Sequence, residues 1–342
     1  MKFATIPDMI ESHKHETFGS SDVMAEQKVF EKLSSDTEKE RINPKDFRGI
    51  KIKTQNGSVL LFTDEEIDRD IAAVETQTSR HATEAVSLTN EQREIAVHAN
   101  FVESVIPAAV RDFEWLGKKV KTILPSAYDD IFNSTDLIIQ MFPKEVAETL
   151  EDMRCIGFSI DLTISKAEAR EKFGKTLSDL AVKGLPKVKY FKSDVLVKDG
   201  DEVINREVKL KNLKMPKIIV SCNGDVLEDA KEKFMSWADD ESEENKSALT
   251  NCRLRYVVIQ EIFMQLSFIT SLAKEANFQD VHSVYEKSLD VFTKLMAEEG
   301  ITTENIGEKS GVDSSFVKEF SKTMSIKQAA QALAHLRTAG QR

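Results

Sequence analysis

The sequence predicts an α/β protein of the α+β kind: a central mixed sheet with helices, followed by a helical C-terminal region. Two observations carry that reading. From Thr89 a long amphipathic helical pattern leads into apolar runs at Val120–Leu124, Asp136–Phe142 and Ile156–Ile164, then a second helix and another apolar run at Ile218–Val220. Beyond Asp225 the pattern is helical to the end of the chain. At 342 residues with 41% hydrophobic side chains, the chain is long enough to bury a substantial core.

The elements follow in order. Residues 1–45 are polar and read as a flexible arm, with a short helix at Glu26–Leu33. Residues 46–88 read as a small unit. In it two alternating runs flank Asn56-Gly57, a turn signal, and Thr63 caps a helix whose first turn holds Asp64, Glu65 and Glu66. The polar stretch Thr76–Thr89 reads as a linker. Residues 89–245 form the α/β core and residues 246–342 a helical region packed on it.

Within the core, the first helix carries Glu103 and is expected to kink at Pro107 before Gly117 ends it. Period-two geometry puts Asp136, Ile138 and Gln140 on one face of a strand, and Ser159, Asp161 and Thr163 on one face of the next. Ser165 caps a helix over Lys166–Val182 closed by Gly184. A strand from Leu185 follows, with an Asp-Gly turn at Lys198–Glu202. The run Ile218–Val220, almost purely apolar, reads as a buried central strand. In the helical region, Asp239–Ser247 reads as an acidic loop, Leu254–Glu275 as the largest helix and Asp280–Glu298 as an amphipathic one. The last part has helix-turn-helix spacing with a second helix at Phe316–Met324, whose two lysines suit a small helical subdomain better than a DNA reader.

Charge and cysteine content exclude some classes. The 47 Lys+Arg against 58 Asp+Glu give a net charge of −11, which argues against coating nucleic acid by bulk charge. Residues 166–217 run the other way, with 14 basic against 8 acidic side chains, and Lys187, Lys189 and Lys192 there are candidates for meeting a phosphate backbone. Cys155, Cys222 and Cys252 fit no zinc spacing and suit reduced thiols in a cytoplasm. No uninterrupted apolar run reaches about 18 residues, so no membrane span is expected. Neither a phosphate-binding glycine loop nor a Ser/His or Cys/His arrangement stands out.

The chemistry concentrates between Glu103 and Lys166. Acids at the edges of apolar strands need a reason, because a buried carboxylate is costly unless paired or bound to a metal. Asp136 and Asp161 on adjacent strands suggest a divalent-metal site, with Asp130 as a reserve ligand and Tyr128 a candidate for stacking on or bonding a nucleic acid.

The order of helix with Glu103, strand, strand with Asp136, strand with Asp161-x-Thr163, helix and strand resembles the αβββαβ core of the PD-(D/E)XK nuclease superfamily. More closely, Trp115-Leu-Gly, Ile123-Leu-Pro-Ser-Ala-Tyr-Asp-Asp-Ile, Asp136 and Ile160-Asp-Leu-Thr resemble uncharacterised members from small-genome bacteria, over roughly residues 95 to 275. The resemblance implies Mg²⁺ or Mn²⁺ held by Asp136 and Asp161, with Glu103 joining them, and hydrolysis of phosphodiester bonds in DNA or RNA. It also implies a lysine two residues after the second acid. Thr163 stands there instead, and Lys166 is the nearest lysine, although strand geometry would point it away from Asp161. Gln140 occupies a position where another acid would strengthen the site. Two alternatives follow: a catalytically inactive nuclease-fold module that binds nucleic acid or a protein partner, and a structural protein forming a homo-oligomer through its C-terminal helices. The last would leave some of Met264, Leu266, Phe268 and Ile269 exposed.

Overall fold

The computed structural model of the protein describes residue 29 and residues 40–54, 57–142, 156–199, 202–222, 224–311 and 325–340. The fold is α+β. Its centre is a four-stranded sheet of β3 (Val120–Ile123), β4 (Leu137–Met141), β5 (Ile156–Thr163) and β8 (Lys217–Ser221), in that spatial order. β3 and β4 pair antiparallel, as do β4 and β5, and β8 is parallel to β5. Among the helices packed on the sheet are α2 (Asn90–Asp112), on β3 and β5, and α4 (Lys166–Val182), on β5 and β8. The register pairs Leu137 with Ile160, which brings Asp136 opposite Asp161. At Gly157 a Cβ would lie 1.9 Å from the Ile139 carbonyl oxygen, so only glycine permits the close approach of β4 and β5.

β8 is an edge strand, which corrects the expectation of a central one. Its outer side is closed by side chains instead of a neighbouring strand. Gln265 accepts from the Ile219 N–H at 2.8 Å and donates to its carbonyl at 2.5 Å. The Tyr285 hydroxyl accepts from the Lys217 N–H at 3.1 Å and donates to its carbonyl at 3.4 Å. Helix coverage explains why a run as apolar as Ile218–Val220 can lie at an edge.

Between α4 and β8 the chain makes a two-stranded ribbon, β6 (Lys187–Asp199) and β7 (Glu202–Lys214), in register from Lys187–Lys214 to Asp199–Glu202. β7 is absent from the sequence reading because its charges mask its alternation. The turn residues Gly200 and Asp201 lie outside the described residues.

The N-terminal unit holds the hairpin β1 (Lys51–Thr54) and β2 (Gly57–Leu60) and the helix α1 (Asp64–Val86). Thr54 pairs with Gly57, so Gly57 opens β2, and Gln55 and Asn56 lie outside the described residues. Thr63 caps α1 with Glu66 in a reciprocal capping box. The helix runs through most of the expected linker, leaving only Ser87–Thr89 before α2. Residues 40–45 do not belong to a loose arm: Ile42 is buried and its N–H bonds the Leu124 carbonyl at 3.2 Å. Val29 is also buried in the main core. A second core joins the unit to the ribbon and sheet, packing Phe47, Phe62 and Ile67 against Val188, Tyr190, Phe191 and Ile138.

α2 runs unbroken through Pro107, which cannot donate to the carbonyl of Glu103 four residues earlier. A short helix, α3 (Ala127–Asn133), separates β3 from β4 and was not anticipated. After β8 come α5 (Asp225–Asp239), α6 (Glu243–Thr250), α7 (Arg253–Glu275), α8 (Gln279–Glu298), α9 (Ile306–Ser310) and α10 (Ile326–Gly340). Most of the expected acidic loop is α6, capped by Ser242. One continuous core runs from α2 through the sheet into α7, α8 and α10, so residue 245 marks no break in packing. Leu266, Phe268 and Ile269 are buried and Met264 packs against them, so these side chains offer no exposed interface. The stretch Glu243–Glu275 is long and apolar enough to cross a membrane by length and composition alone, and 72% of its most apolar window is buried inside the fold, as in a core helix. Phe316–Met324 and Cys155 lie outside the described residues.

Candidate acidic site at the β4–β5 junction

The site starts from the cross-strand pair. Asp136, just before β4, donates its N–H to the Ile160 carbonyl at 2.9 Å, and its Oδ2 accepts from the Leu162 N–H at 2.5 Å. Asp161 is buried on β5 and holds two ammonium groups, Lys172 Nζ at 2.7 Å from Oδ1 and Lys217 Nζ at 3.0 Å from Oδ2. Lys172 also meets Glu168 Oε1 at 3.0 Å, and the Thr163 hydroxyl donates to Glu168 Oε2 at 2.6 Å. A chain of contacts thus runs Asp161–Lys172–Glu168–Thr163 along the start of α4.

Two more carboxylates act on this pair. Asp130, on α3, is bonded by Arg41 at 2.8 Å, and Glu103 projects from α2. Burial pushes the Asp136 carboxyl well above its usual range, and the charges of Glu103, Asp161 and Asp130 push it further, against the Leu162 N–H. Glu103 is raised to about 7, first by the protein packed around it and then by Asp130, while Arg41 and Lys172 oppose the rise. Its side chain is nevertheless exposed to water, which weakens that effect. Burial alone would lower the Lys172 ammonium, but Asp161 and Glu168 outweigh it and hold the group more firmly charged. Burial likewise works against Glu168, and the Thr163 hydroxyl and Lys172 reverse it, leaving that carboxyl below its usual range.

Of the residues singled out in the sequence, Glu103, Asp130, Asp136, Asp161 and Thr163 fall in one neighbourhood. Lys166 does not take the lysine's place. It opens α4, and Lys172, six residues on and roughly 240° around the helix, reaches Asp161 instead. Lys172 and Lys217 were missed. The signal for Lys172 was its place four residues after Glu168 and beside the buried Phe173, at the margin of the packed face. Lys217 had no local signal. Gln140 is turned to the ribbon, accepting from the Ser193 hydroxyl.

The expected phosphate-facing residues are placed elsewhere. Tyr128 is half-buried against Phe132 and Tyr190, with Lys189 Nζ 4.4 Å from its ring centre. Lys189 pairs with the buried Asp70 at 2.5 Å, and Lys192 with Asp46 and Glu207 at 3.2 and 3.3 Å. Lys187 is exposed. Acids of the N-terminal unit therefore neutralise much of the basic ribbon, and Glu66 does the same for Lys211 at 2.9 Å. Asp129 is structural: it accepts from the Lys189 and Tyr190 N–H groups at 2.6 and 3.0 Å and seats the ribbon on α3.

Glu103, Asp130, Asp136 and Asp161 supply only carboxylate oxygen, the donor type that Mg²⁺ and Mn²⁺ take. Their mutual repulsion is what a divalent cation would relieve. Among the described residues, no three Asp, Glu, His or Cys side chains are gathered closely enough to hold a metal ion as they stand. The chain matches no protein-family model, no curated protein and no solved structure.

Proposed function

We propose that this chain is a metal-dependent phosphodiesterase of the PD-(D/E)XK type, acting on DNA or RNA. The observation that carries the reading is Asp136 opposite Asp161, coupled to Glu103 and Asp130, with a lysine on Asp161. Carboxylates pushed out of their usual range by burial and by one another cluster at functional sites. The sheet supports the reading as well: with the short helix α3 and the ribbon β6–β7 set aside as insertions, three antiparallel strands, a fourth parallel to the third, and a helix before and after the acid-bearing pair follow an αβββαβ order.

On this reading Asp136 and Asp161 hold Mg²⁺ or Mn²⁺, Glu103 completes the set and Asp130 stands in reserve. The bound cation would lower the pKa of a water and stabilise the departing oxygen. Lys172 supplies the positive charge that Thr163 cannot, and Thr163 with Glu168 fixes where that ammonium sits.

A second reading has its own support. Asp161 already carries two ammonium groups and the ribbon's lysines are largely neutralised, as in a nuclease fold that has lost catalysis and serves binding alone.

The test is a calorimetric Mn²⁺ titration of the wild type and of Asp136→Ala/Asp161→Ala, followed by incubation of each with labelled single-stranded DNA, duplex DNA and RNA. Metal binding and cleavage in the wild type alone are expected. Binding without cleavage favours the second reading, and equal metal binding in the two proteins removes the site.

A further inference from the structure

We propose that the chain forms a homodimer through its ribbon. The outer edge of β7 pairs antiparallel with the same edge of a second copy, joining two ribbons into one four-stranded sheet centred on Ile204.

Among the described residues β7 has β6 as its one strand neighbour. β6 is the inner strand of the two. Its Val195 is buried, its Ser193 bonds Gln140 of β4, and its Asp194 meets Lys121 of β3 at 4.0 Å. Glu202–Glu207, the half of β7 that follows the turn, is exposed at every residue. It includes Val203 at 55% and Ile204 at 38%, and Leu196 of β6 is 46% exposed across from it. The backbone groups of such an edge are a template for another strand, and soluble proteins blunt them with proline, bulges or charge. This half of β7 has no proline, and it pairs with β6 residue for residue without a bulge. It does carry charges, and their placing selects the partner.

Antiparallel strands related by a two-fold axis through Ile204 set Ile204 on Ile204, Glu202 on Arg206 and Val203 on Asn205. Two Glu–Arg pairs then flank an apolar pair. Val197 lies opposite Ile204 within each ribbon, so an apolar row of Val197 and Ile204 from both copies crosses all four strands. Moving the axis one residue toward the turn sets Glu202 on Ile204, and one residue the other way sets Ile204 on Arg206. Both shifts lose the charge pairs, so the sequence favours a single register. Glu202 and Arg206 have no ion-pair partner among the described residues. Glu207, next along, is already neutralised by Lys209 at 2.7 Å and Lys192 at 3.3 Å. Nucleic acid suits this edge poorly, because residues 194–207 hold five acids against two bases. A second copy meets both the charges and the apolar row.

The experiment is sedimentation velocity on the full chain. Two short strands make a small interface, so the wild type is expected to pass from monomer to dimer with a dissociation constant of about 10 µM. E202R and R206E each place like charges together twice and should weaken the dimer at least ~tenfold. All three positions are exposed, so the thermal midpoints of these variants should match the wild type. The double variant E202R/R206E should dimerise as the wild type does. An equimolar mixture of the two single variants should do so as well, because one copy then presents only positive and the other only negative charge. Ile204→Lys should leave the chain monomeric. A wild type that stays monomeric to about 100 µM overturns the proposal. So do single variants that dimerise as tightly as the wild type, which would place the interface elsewhere, and a mixture no tighter than either variant alone. None of these outcomes bears on the phosphodiesterase reading.

Discussion

Replacing Glu103 by glutamine should stabilise the protein at alkaline pH and not at acidic pH. The carboxyl is raised from 4.5 to about 7, so the folded protein holds its proton where the unfolded chain has released it. Between those two values the native state binds more protons, and stability falls as pH rises. The penalty is absent below the unfolded value and fully present above about 7. Taken at face value the rise corresponds to about 3.4 kcal/mol. Water reaches one side of Glu103 and screens its charge, which reduces the effect to ~1 kcal/mol. Glutamine keeps the shape and cannot ionise, so the variant never meets the penalty. Urea unfolding followed by the fluorescence of Trp115 and Trp237 reads the difference. The two proteins should agree to within a few tenths of a kcal/mol at about pH 4 and differ by ~1 kcal/mol in the variant's favour at about pH 8. Saturating Mn²⁺ should close the gap, because a bound cation removes the repulsion. A variant equally displaced at both pH values, or less stable at pH 8, would refute the claim that Glu103 sits among carboxylates that oppose its ionisation.

The remaining predictions concern the frame that holds the site. Gln265→Leu leaves the buried Ile219 N–H and carbonyl without partners and should cost about 2–4 kcal/mol in urea unfolding, while Mn²⁺ affinity holds. Gly157→Ala forces β4 and β5 apart at the Ile139 carbonyl and should lower stability by at least ~2 kcal/mol, read as a drop in thermal midpoint. Lys172→Gln should leave Mn²⁺ binding in place and slow cleavage by about 10²-fold or more; cleavage at the wild-type rate would remove Lys172 from the chemistry.

Much of the site was legible because its acids lie on regular elements. Strand alternation put Asp161 and Thr163 on one face, and their pairing with Glu168 and Lys172 bears that out. The helix α4, with its Ser165 cap and Gly184 end, follows from local chemistry alone. β7 was lost because six charged residues interrupt its apolar positions, and the burial of Ile218–Val220 suggested a central strand because burial looks the same under a helix as under a neighbouring strand. The basic stretch at residues 166–217 looked like a nucleic-acid wall because its acidic partners, Asp46, Glu66 and Asp70, sit more than a hundred residues away in sequence.

By itself the sequence determined most of the succession of helices and strands, α3 and β7 excepted, and the faces on which Glu103, Asp136 and Asp161 project. Periodicity and capping are local, acting within a few residues, and can be read from composition and spacing. Only the tertiary structure decided the strand register that sets Asp136 against Asp161, the arrival of Lys172 and Lys217 at one carboxylate, and the burial of the ribbon's charges by the N-terminal unit. Those depend on contacts between residues far apart in the chain, where solvent exclusion and the pairing of buried charges, and not local propensity, choose the partner.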